Sequence, residues 1–382
     1  MRLAYVDPQS YHGLAKYDAG LLRGLRDSGF AGEISFYCSV LLDQPIPDDI
    51  KVVPLFSYNR KRSRITKSFS YGISMLRILG AAVSSPADVY HFQWFKFTLV
   101  DLLCIIILKK ISGARVVFTA HNVVPHGAEE GRHRLLGKIY KIVDHIIVHN
   151  SATADEISHR FSIDPDRFSV LRHGLIDMEA HGTPRYQEQL SEFVADHQGC
   201  FLFLGRGSRY KGLDILLQAW PEVSATSARK VGLVVMGAVD DDIKSIAARA
   251  VDASGNTLLL VDEHVPEADL YHALQMCNVV VLPHRIISQS GVLLSVIGLG
   301  VPMLVAALPG LLEPLGIAPV GWQFDGTEEG LVSQLKYLAD NPRAVHEVQQ
   351  NHEAWESVRR EYDWKTIACN SEVVYRDVME RL

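Results

Sequence analysis

Short runs of β-branched and aromatic residues alternate with longer helical patterns along almost the whole chain. Before residue 180 these runs are RLAYV, ISFYC, VVPLF, DVYHFQW, RVVFTAHN, HIIVHN and FSVLRHG. After residue 200 they are FLFLG, VGLVVMG, NTLLLVD, NVVVLPH and PMLVAAL. Strands that alternate with helices form parallel sheets with crossover helices. The sequence therefore predicts an α/β protein with two successive parallel sheets.

A polar, turn-rich stretch between Asp177 and Gln198 separates the two series of strands. The chain has 382 residues, which suits two domains better than one core. We predict a first domain over residues 1–180, a second over residues 181–360 and a terminal helix over residues 361–382. One face of that helix collects apolar side chains, namely Trp364, Ile367, Val374 and Val378.

Composition argues against several classes of protein. The net charge of −6 gives no support to general nucleic-acid binding, because contacts with phosphates need an excess of basic residues. The five cysteines are scattered and lack CxxC spacing, which favours neither a disulfide framework nor a zinc site. The N-terminus has no apolar signal region, so we expect a cytoplasmic protein. The most apolar stretch, Leu99 to Leu108, is far shorter than the roughly 20 residues of a spanning helix, and we predict a buried helix.

One strand-to-helix turn, within FLFLGRGSRYKGLDILLQAW, carries the clearest chemistry. Gly205 and Arg206 follow the strand, and Lys211 precedes the next helix. Glycine lets a backbone approach a diphosphate, the helix start offers N–H donors, and the two cations balance charge on a leaving group. Neither GxxxxGK[ST] nor GxGxxG is present there. We predict a diphosphate site; the alternative is a surface turn with solvated basic side chains.

With this turn the sequence resembles the large group-1 family of GT-B glycosyltransferases. The family's second domain has a strand, GR, a variable loop, KG and LD before a helix, which here reads GRGSRYKGLDILLQA. EADLYHALQMCNVVVLPH and GLGVPMLVAALPGLLEPL are similar to later segments of that domain, while FTAHN and VLRHGLID are similar to the family's His-bearing loop and hinge turn. The resemblance implies a GT-B fold, with two Rossmann-like domains facing each other across a cleft and a C-terminal helix crossing back to the first domain.

The resemblance also implies an activity. It is the transfer of a sugar from a nucleoside diphosphate sugar to a hydroxyl of a glycan or lipid-linked oligosaccharide, in polysaccharide or glycoconjugate synthesis. Arg206 and Lys211 would hold the donor diphosphate, His121 would lie near the transferred sugar, and Glu313 would end a Gly-x-x-Glu turn at the donor site. Two alternatives remain open: a nucleotide-sugar 2-epimerase of the same architecture, and a non-catalytic partner of another glycosyltransferase.

One motif of the family is missing. The family usually has two glutamates eight positions apart, one for the donor sugar and one for the ribose, whereas this chain has Ile287 and Ser295. The polar run between them should cap the helix over residues 292–299 and direct its amides at an anion; an ordinary N-cap is the alternative. We assign the further donor contacts to Gly237, Arg285, Ser288, Gln289, Ser290, Gly291 and Ser295.

Candidate acid–base and acceptor residues belong to the first series of strands. His121 ends a strand, and His126, Glu129 and Glu130 follow in a loop. If the reaction inverts the anomeric centre, one of the last three takes the acceptor proton; retention needs no such base. The N-terminal loop supplies the predicted acceptor contacts, with a solvent-exposed loop as the alternative. These contacts are His12, Gly13 and Tyr17.

Two charged segments remain. Residues 58–67, YNRKRSRITK, concentrate five basic side chains in an acidic protein. Each such residue contributes about 1 kcal/mol near anionic lipid, so we predict peripheral contact with the inner face of a membrane; a solvated charge run is the alternative. Asp240, Asp241 and Asp242 precede a helical pattern and suit its positive N-terminus. We therefore expect no metal and no cofactor, since the nucleotide sugar is a substrate.

Overall fold

The computed structural model describes residues 1–11, 13–57, 64–123, 130–178, 182–287 and 290–380. The chain divides into two compact units. The first unit comprises residues 1–174 together with 361–382, and the second comprises residues 175–360. Each unit has a parallel sheet with helices, which confirms the predicted α/β class.

In its described residues the first unit contains a seven-stranded parallel sheet in the order β3-β2-β1-β4-β5-β6-β7. The strands are β1 (Arg2–Val6), β2 (Glu33–Ser39), β3 (Lys51–Phe56), β4 (Val89–Phe92), β5 (Arg115–Thr119), β6 (His145–Val148) and β7 (Phe168–Val170). The helices are α1 (Gly13–Asp27), α2 (Arg64–Ser84), α3 (Thr98–Ser112), α4 (Glu130–Ile142) and α5 (Ser151–Phe161). The central strands β4 and β6 are buried throughout because helices cover both faces of the sheet.

The described part of the second unit contains a six-stranded parallel sheet in the order β10-β9-β8-β11-β12-β13. The strands are β8 (Cys200–Leu204), β9 (Gly232–Met236), β10 (Leu258–Val261), β11 (Val279–Leu282), β12 (Met303–Ala306) and β13 (Gly321–Phe324). The helices are α6 (Gln187–Ala195), α7 (Leu213–Thr226), α8 (Lys244–Ser254), α9 (Glu267–Met276), α10 (Gly291–Leu299), α11 (Pro309–Ile317), α12 (Glu328–Asp340), α13 (Pro342–Gln350) and α14 (His352–Glu361).

The predicted strands agree with the structure except at one edge of the second sheet. Every predicted run contains a strand, but the edge strand β13 was not predicted, because GWQF begins with glycine and has no β-branched residue. A second difference lies in the polar stretch after Asp177, which contains the helix α6 as well as turns. The α6 pattern is weak because only Leu190 is buried in it.

The terminal helix α15 (Trp364–Glu380) packs on α1 and completes the first unit. Its Ile367 and Tyr375 join Leu21 and Leu22 of α1 in one hydrophobic core, while α2, α3 and α4 supply the core on the other side of the sheet. The predicted return of the C-terminal helix to the first domain is therefore confirmed.

The helix α3 corrects the prediction of a buried helix over Leu99 to Leu108. Ile105 and Leu108 are buried, but Leu99 and Leu103 are 55% and 51% exposed. Periodicity could not distinguish these positions, because the helix is apolar on every side. No helix in the described ranges is long and apolar enough to cross a membrane.

Close packing of α15 on α1 depends on glycine. A Cβ atom on Gly24 would collide with the backbone carbonyl of Trp364, whereas one on Gly72 of α2 would meet nothing within 4 Å. We predict that Gly24→Ala lowers the free energy of unfolding by about 1–3 kcal/mol through overpacking, although alanine is the better helix former. The matched control Gly72→Ala should raise it by up to about 1 kcal/mol. Urea unfolding measures both, and equal stability of the two variants would contradict the close approach.

Candidate active site

The residues that directly follow the strands, at the carboxyl edge of each sheet, form the candidate sites. In the first unit these are Asp7 after β1, Gln93 after β4, His121 after β5, His149 after β6 and His173 after β7. In the second unit they are Gly205 after β8, Gly237 after β9 and His284 after β11. Ligands of open parallel sheets bind at this edge, so each unit offers one candidate site.

The turn after β8 has a backbone that only glycine fits. Gly205 and Gly212 have φ values of 92° and 72°, in the left-handed region. A Cβ atom on Gly212 would collide with the carbonyl oxygen of Pro283, and one on Gly205 would lie 3.0 Å from Nζ of Lys211. The ammonium group of Lys211 is therefore folded back over the turn, beside Gly205.

Positive charge in this turn is only partly neutralised. Burial, and then the charge of Arg206, lower the pKa of Lys211. Burial and the charge of Lys211 lower the pKa of His284, at 5% exposure, to about 4. His284 is therefore neutral at pH 7, and a bound anion would relieve the repulsion between Lys211 and Arg206.

Aspartates hold the arginines of the turn. Arg206 Nε donates to Asp240 at 2.6 Å, although the Arg206 side chain is 70% exposed. The buried Asp214 accepts from Arg209 at 3.3 Å and from Arg285 at 2.8 Å. Asp214 thereby fixes one edge of the Arg285 guanidinium group at the end of β11, and Asp240 holds Arg206 where an anion could compete for it.

The three consecutive aspartates precede a helix, as the sequence predicts, and they also pair with basic side chains. They lie before α8, which begins only at Lys244. Asp242 accepts from Arg209 at 2.7 Å, and Asp241 pairs with Lys244 at 2.8 Å. They serve as counter-ions for basic side chains. Within the described residues, no group of three or more His, Cys, Asp or Glu side chains could hold a metal ion.

The helix α10 begins as predicted, with Ser290 as its N-cap. The Ser290 hydroxyl accepts from the N–H of Leu293 at 3.2 Å, and the helix starts at Gly291. The Ser295 hydroxyl donates to the carbonyl of Gly291 at 3.1 Å, so it is engaged within its own helix. Ser288 and Gln289 lie outside the described residues.

The structure also locates Gly237 and Glu313, two further residues that the sequence predicts to contact the donor. Gly237 has φ 146°, and a Cβ atom there would collide with the carbonyl of Gly205. Its role in the fold is to let the end of β9 approach the turn after β8. Glu313 lies half-buried inside α11 and not in a turn, which corrects the expected geometry of that segment.

An aromatic cluster fills the corresponding edge of the first unit. The ring of Tyr17 lies 4.8 Å from His121, 5.6 Å from His149 and 4.8 Å from His173, measured between centroids. Tyr17 is 3% exposed, so it packs beneath the site, and direct acceptor contact would require rearrangement. Gly13 begins α1 with open space around it, while His12 lies outside the described residues.

A chain of hydrogen bonds runs through the histidines. His149 Nδ1 donates to the carbonyl of Leu171 at 2.8 Å, and His149 Nε2 lies 3.0 Å from His121 Nδ1. The Gln93 amide lies 3.0 Å from Nε2 of both His121 and His91. Burial lowers the pKa of His149 to about 4 and that of His121 well below its usual value, the latter also through the charge of neighbouring histidines.

The number of N–H groups on each neutral histidine determines which atom donates in each of these hydrogen bonds. A neutral His149 donates its one N–H to the carbonyl of Leu171. His121 Nδ1 must therefore donate to His149 Nε2, and His121 Nε2 must accept. The structure has the oxygen of Gln93 beside His121 Nε2 and its NH₂ group beside His91, so this proton count requires the amide to be turned over. Both ring nitrogens of His121 are therefore engaged, and accepting a substrate proton would break one of these bonds.

Two buried carboxyl groups lie beside this cluster, and the sequence analysis missed both. Asp7 accepts from the N–H of Gln9 at 2.6 Å, and Asp18 of α1 accepts from the Tyr5 hydroxyl at 2.9 Å. Burial raises the pKa of Asp7 to about 6; burial and the charge of Asp7 raise the pKa of Asp18 well above its usual value. The negative charge of Asp7 thus favours the protonated form of Asp18. Asp7 could have been found, since it directly follows β1.

The remaining predicted proton acceptors are not located. His126 and Glu129 lie outside the described residues, and so does the side chain of Glu130, whose backbone begins α4. His149 was also missed by the sequence analysis, although it follows the strand HIIV directly. The geometry thus brings Gln93, His121, His149 and His173 together and leaves the choice of base to the segment before α4.

Two segments of the chain match glycosyltransferase family models. Residues 198–341 match "Glycosyl transferases group 1", and residues 12–177 match "Glycosyltransferase Family 4". A protein named GDP-mannose:glycolipid 4-beta-D-mannosyltransferase, from Xanthomonas campestris pv. campestris, is 27% identical over 284 residues, covering 69% of this chain and 74% of that one.

Solved structures resemble the whole chain. Sucrose-phosphate synthase from Thermosynechococcus elongatus has a TM-score of 0.70 at 15% identity and 99% coverage of both chains. HepE of Anabaena, in complex with UDP and glucose, has a TM-score of 0.68 at 13% identity, covering 99% of this chain and 100% of that one. At these identities the likeness establishes the fold.

The buried acid pair should make stability depend on pH. Folding raises the pKa of both carboxyl groups, so the folded chain holds more protons than the unfolded chain above about pH 4, and stability falls as pH rises through 6. We predict that Asp18→Asn, which keeps a partner for Tyr5, flattens this fall by roughly 1–3 kcal/mol between pH 5 and 8. The exposed Asp155→Asn is the matched control. Urea unfolding across pH tests the pair, and parallel curves for wild type and Asp18→Asn would refute it.

Proposed function

This chain belongs to the group 1 glycosyltransferases and uses a nucleotide sugar, and we propose that it transfers a mannosyl group from GDP-mannose to a hydroxyl of a glycolipid. The observation that carries the proposal is the ammonium group of Lys211, folded over Gly205 beside Arg206 in a turn with excess positive charge. Such a turn suits a diphosphate, whose negative charge grows as the sugar departs.

Lys211 and Arg206 would have different tasks. Lys211 is partly buried, and the loss of hydration makes its charge act more strongly on a bound oxygen. Arg206 is exposed and already paired with Asp240, so it would exchange this carboxylate for phosphate when the donor arrives. The N-terminus of α10, with the Ser290 cap, would face the donor from the next crossover.

The choice of GDP-mannose rests on the Xanthomonas relative, whose name states this donor. The missing pair of carboxylates is consistent with a donor site unlike that of typical family members. At the ribose position Ser295 could offer a single hydroxyl, and this hydroxyl already donates to Gly291. We propose that recognition of the base and the sugar falls to Arg285 and to the segment from Ser288 to Gly291.

The same relative suggests the acceptor and the stereochemistry, since its name states a glycolipid acceptor and a β-linkage. GDP-mannose carries an α-linked mannosyl group, so a β-linked product requires inversion and a general base. Because both nitrogens of His121 are engaged by Gln93 and His149, we propose that the base comes from His126, Glu129 or Glu130. His121 would then line the sugar site, and His12, Gly13 and residues 58–67 remain predicted contacts of the acceptor and its membrane.

Removal of the Lys211 charge should affect turnover far more than folding. We predict that Lys211→Ala lowers kcat/KM by about 10²–10³-fold, because a preorganised charge on the leaving group is lost. The thermal midpoint should stay close to that of the wild type, since burial of this ammonium group is itself unfavourable. Lys244→Ala, which removes an exposed lysine of the same unit, is the control. An unchanged transfer rate in Lys211→Ala would exclude the leaving-group role.

Donor identity can be tested with nucleotides alone. GDP at about 100 times its Kd should stabilise the chain by roughly 2.7 kcal/mol, and the Lys211→Ala variant should lose this effect. Thermal unfolding with GDP, UDP and dTDP measures the preference. A larger shift with UDP would overturn GDP-mannose while leaving the diphosphate site intact. No shift with any nucleotide would instead favour a non-catalytic partner, and incubation of GDP-mannose without acceptor would reveal an epimerase.

A further inference from the structure

The helix α2 is apolar on both its buried and its exposed faces. Met75 and Ile78 pack into the core of the first unit. The opposite face consists of Ile65, Phe69, Ile73, Leu76 and Val83, which are 82%, 72%, 39%, 65% and 70% exposed. At 3.6 residues per turn these five positions fall within an arc of about 80°. A soluble surface helix normally turns a polar face outward, so the outer face of α2 needs an explanation.

The neighbouring helix α3 continues this surface. It packs against α2 on the same side of the sheet, and its inner residues Leu102 and Ile105 join the same core. Its outer face carries Leu99, Leu103, Ile107 and Ile111, which are 43–55% exposed. We call the nine outward side chains of the two helices the α2–α3 surface. Nine exposed large apolar side chains on two helices that pack together are more than the singly scattered apolar residues of an ordinary surface, and such a concentration marks a binding face.

Basic residues are concentrated in the segment of the chain that contains the α2–α3 surface. Residues 58–143 contain fourteen Lys and Arg but only four Asp and Glu, in a chain with a net charge of −6. On α4, which packs beside α3, the exposed side chains include Arg134, Lys138 and Lys141. Lys67 lies on α2 itself, and its charge contributes to lowering the pKa of Lys96 to about 8, so these two ammonium groups are close together.

We infer that the α2–α3 surface inserts into the interfacial layer of an anionic lipid bilayer. An apolar helical face bordered by Lys and Arg is the pattern of helices that lie in the plane of a membrane interface. The inner faces of α2 and α3 are packed on the sheet, so both helices would enter only with their outer side chains. An anionic bilayer matches the excess of positive charge in this part of the chain, which the same basic face of a second copy would not neutralise.

This orientation has a consequence for the first unit. Both helices begin at the carboxyl edge of the sheet, where Asp7, Gln93 and His121 lie. With both helices lying in the plane of the interface, this edge of the sheet would face sideways along the headgroup layer and not away from it. The inference rests on surface composition and is independent of the proposed donor and reaction.

Vesicle binding by the full chain, without nucleotide, tests the inference. We expect the wild type to float with vesicles of phosphatidylglycerol and phosphatidylcholine and to bind pure phosphatidylcholine much more weakly. The triple variant Phe69→Ser, Leu76→Ser, Leu103→Ser should bind the mixed vesicles at least about tenfold more weakly, because three exposed apolar side chains no longer leave water. Lys138→Gln and Lys141→Gln should each weaken binding about fivefold, and added salt should remove this difference.

A matched variant distinguishes this face from general surface hydrophobicity. Val251→Ser, Tyr337→Ser, Val373→Ser removes three exposed apolar side chains from α8, α12 and α15 and should bind vesicles as the wild type does. Circular dichroism verifies that both triple variants are folded. Equal vesicle binding by the α2–α3 variant and the wild type would overturn the inference. So would a wild-type dimer, seen by sedimentation without lipid, that this variant abolishes while vesicle binding is absent.

Discussion

Parallel strand pairing is the constraint on which the rest of this structure depends. In both sheets all the observed pairs run parallel, so every strand ends at the same edge of its sheet. Residues far apart in the chain, such as Asp7, His121 and His173, are thereby brought to one edge. The same geometry gathers the β8 turn, Gly237 and the end of β11 in the second unit. Each unit thus gathers its polar groups at one edge through the parallel order of its strands, although the β2–β3 pair has a register shift at Cys38 and Ser39.

The candidate donor turn shows how close packing and charge act together. Gly212 approaches Pro283, and Gly237 approaches Gly205, at distances that exclude any side chain. These contacts bring the ends of three strands together around Lys211. Among the residues that the structure describes, Asp240 and Asp214 pair with arginines, and no carboxylate forms a salt bridge with Lys211. The ammonium group of Lys211 therefore lies where a bound anion would stabilise it, as the proposed donor site requires.

The polar groups at the sheet edge of the first unit are histidines joined by hydrogen bonds. Its histidines are buried, neutral and joined end to end, from Leu171 through His149, His121 and Gln93 to His91. Such a chain is satisfied only if every donor meets an acceptor, which orients His121 rigidly but removes both its nitrogens from simple acid–base work. The outer helices of the same unit leave a wide apolar surface in a basic setting, which points to a lipid partner and not to further protein core.

The sequence by itself determined the fold class and nearly all the strands, because these depend on local patterns of apolar runs and turn residues. The diphosphate role of the turn after β8 stays a prediction. Tertiary structure decided the rest. Periodicity could not separate the exposed Leu103 from the buried Ile105, since solvent exposure depends on which neighbour covers a helix face. Likewise, several polar interactions join residues from different elements: the hydrogen bonds of His121, the salt bridge between Asp240 and Arg206, and the charge interaction between Asp7 and Asp18. Hydrogen bonds and charge interactions act over a few ångströms in space, and their partners were 11 to 34 positions apart along the chain.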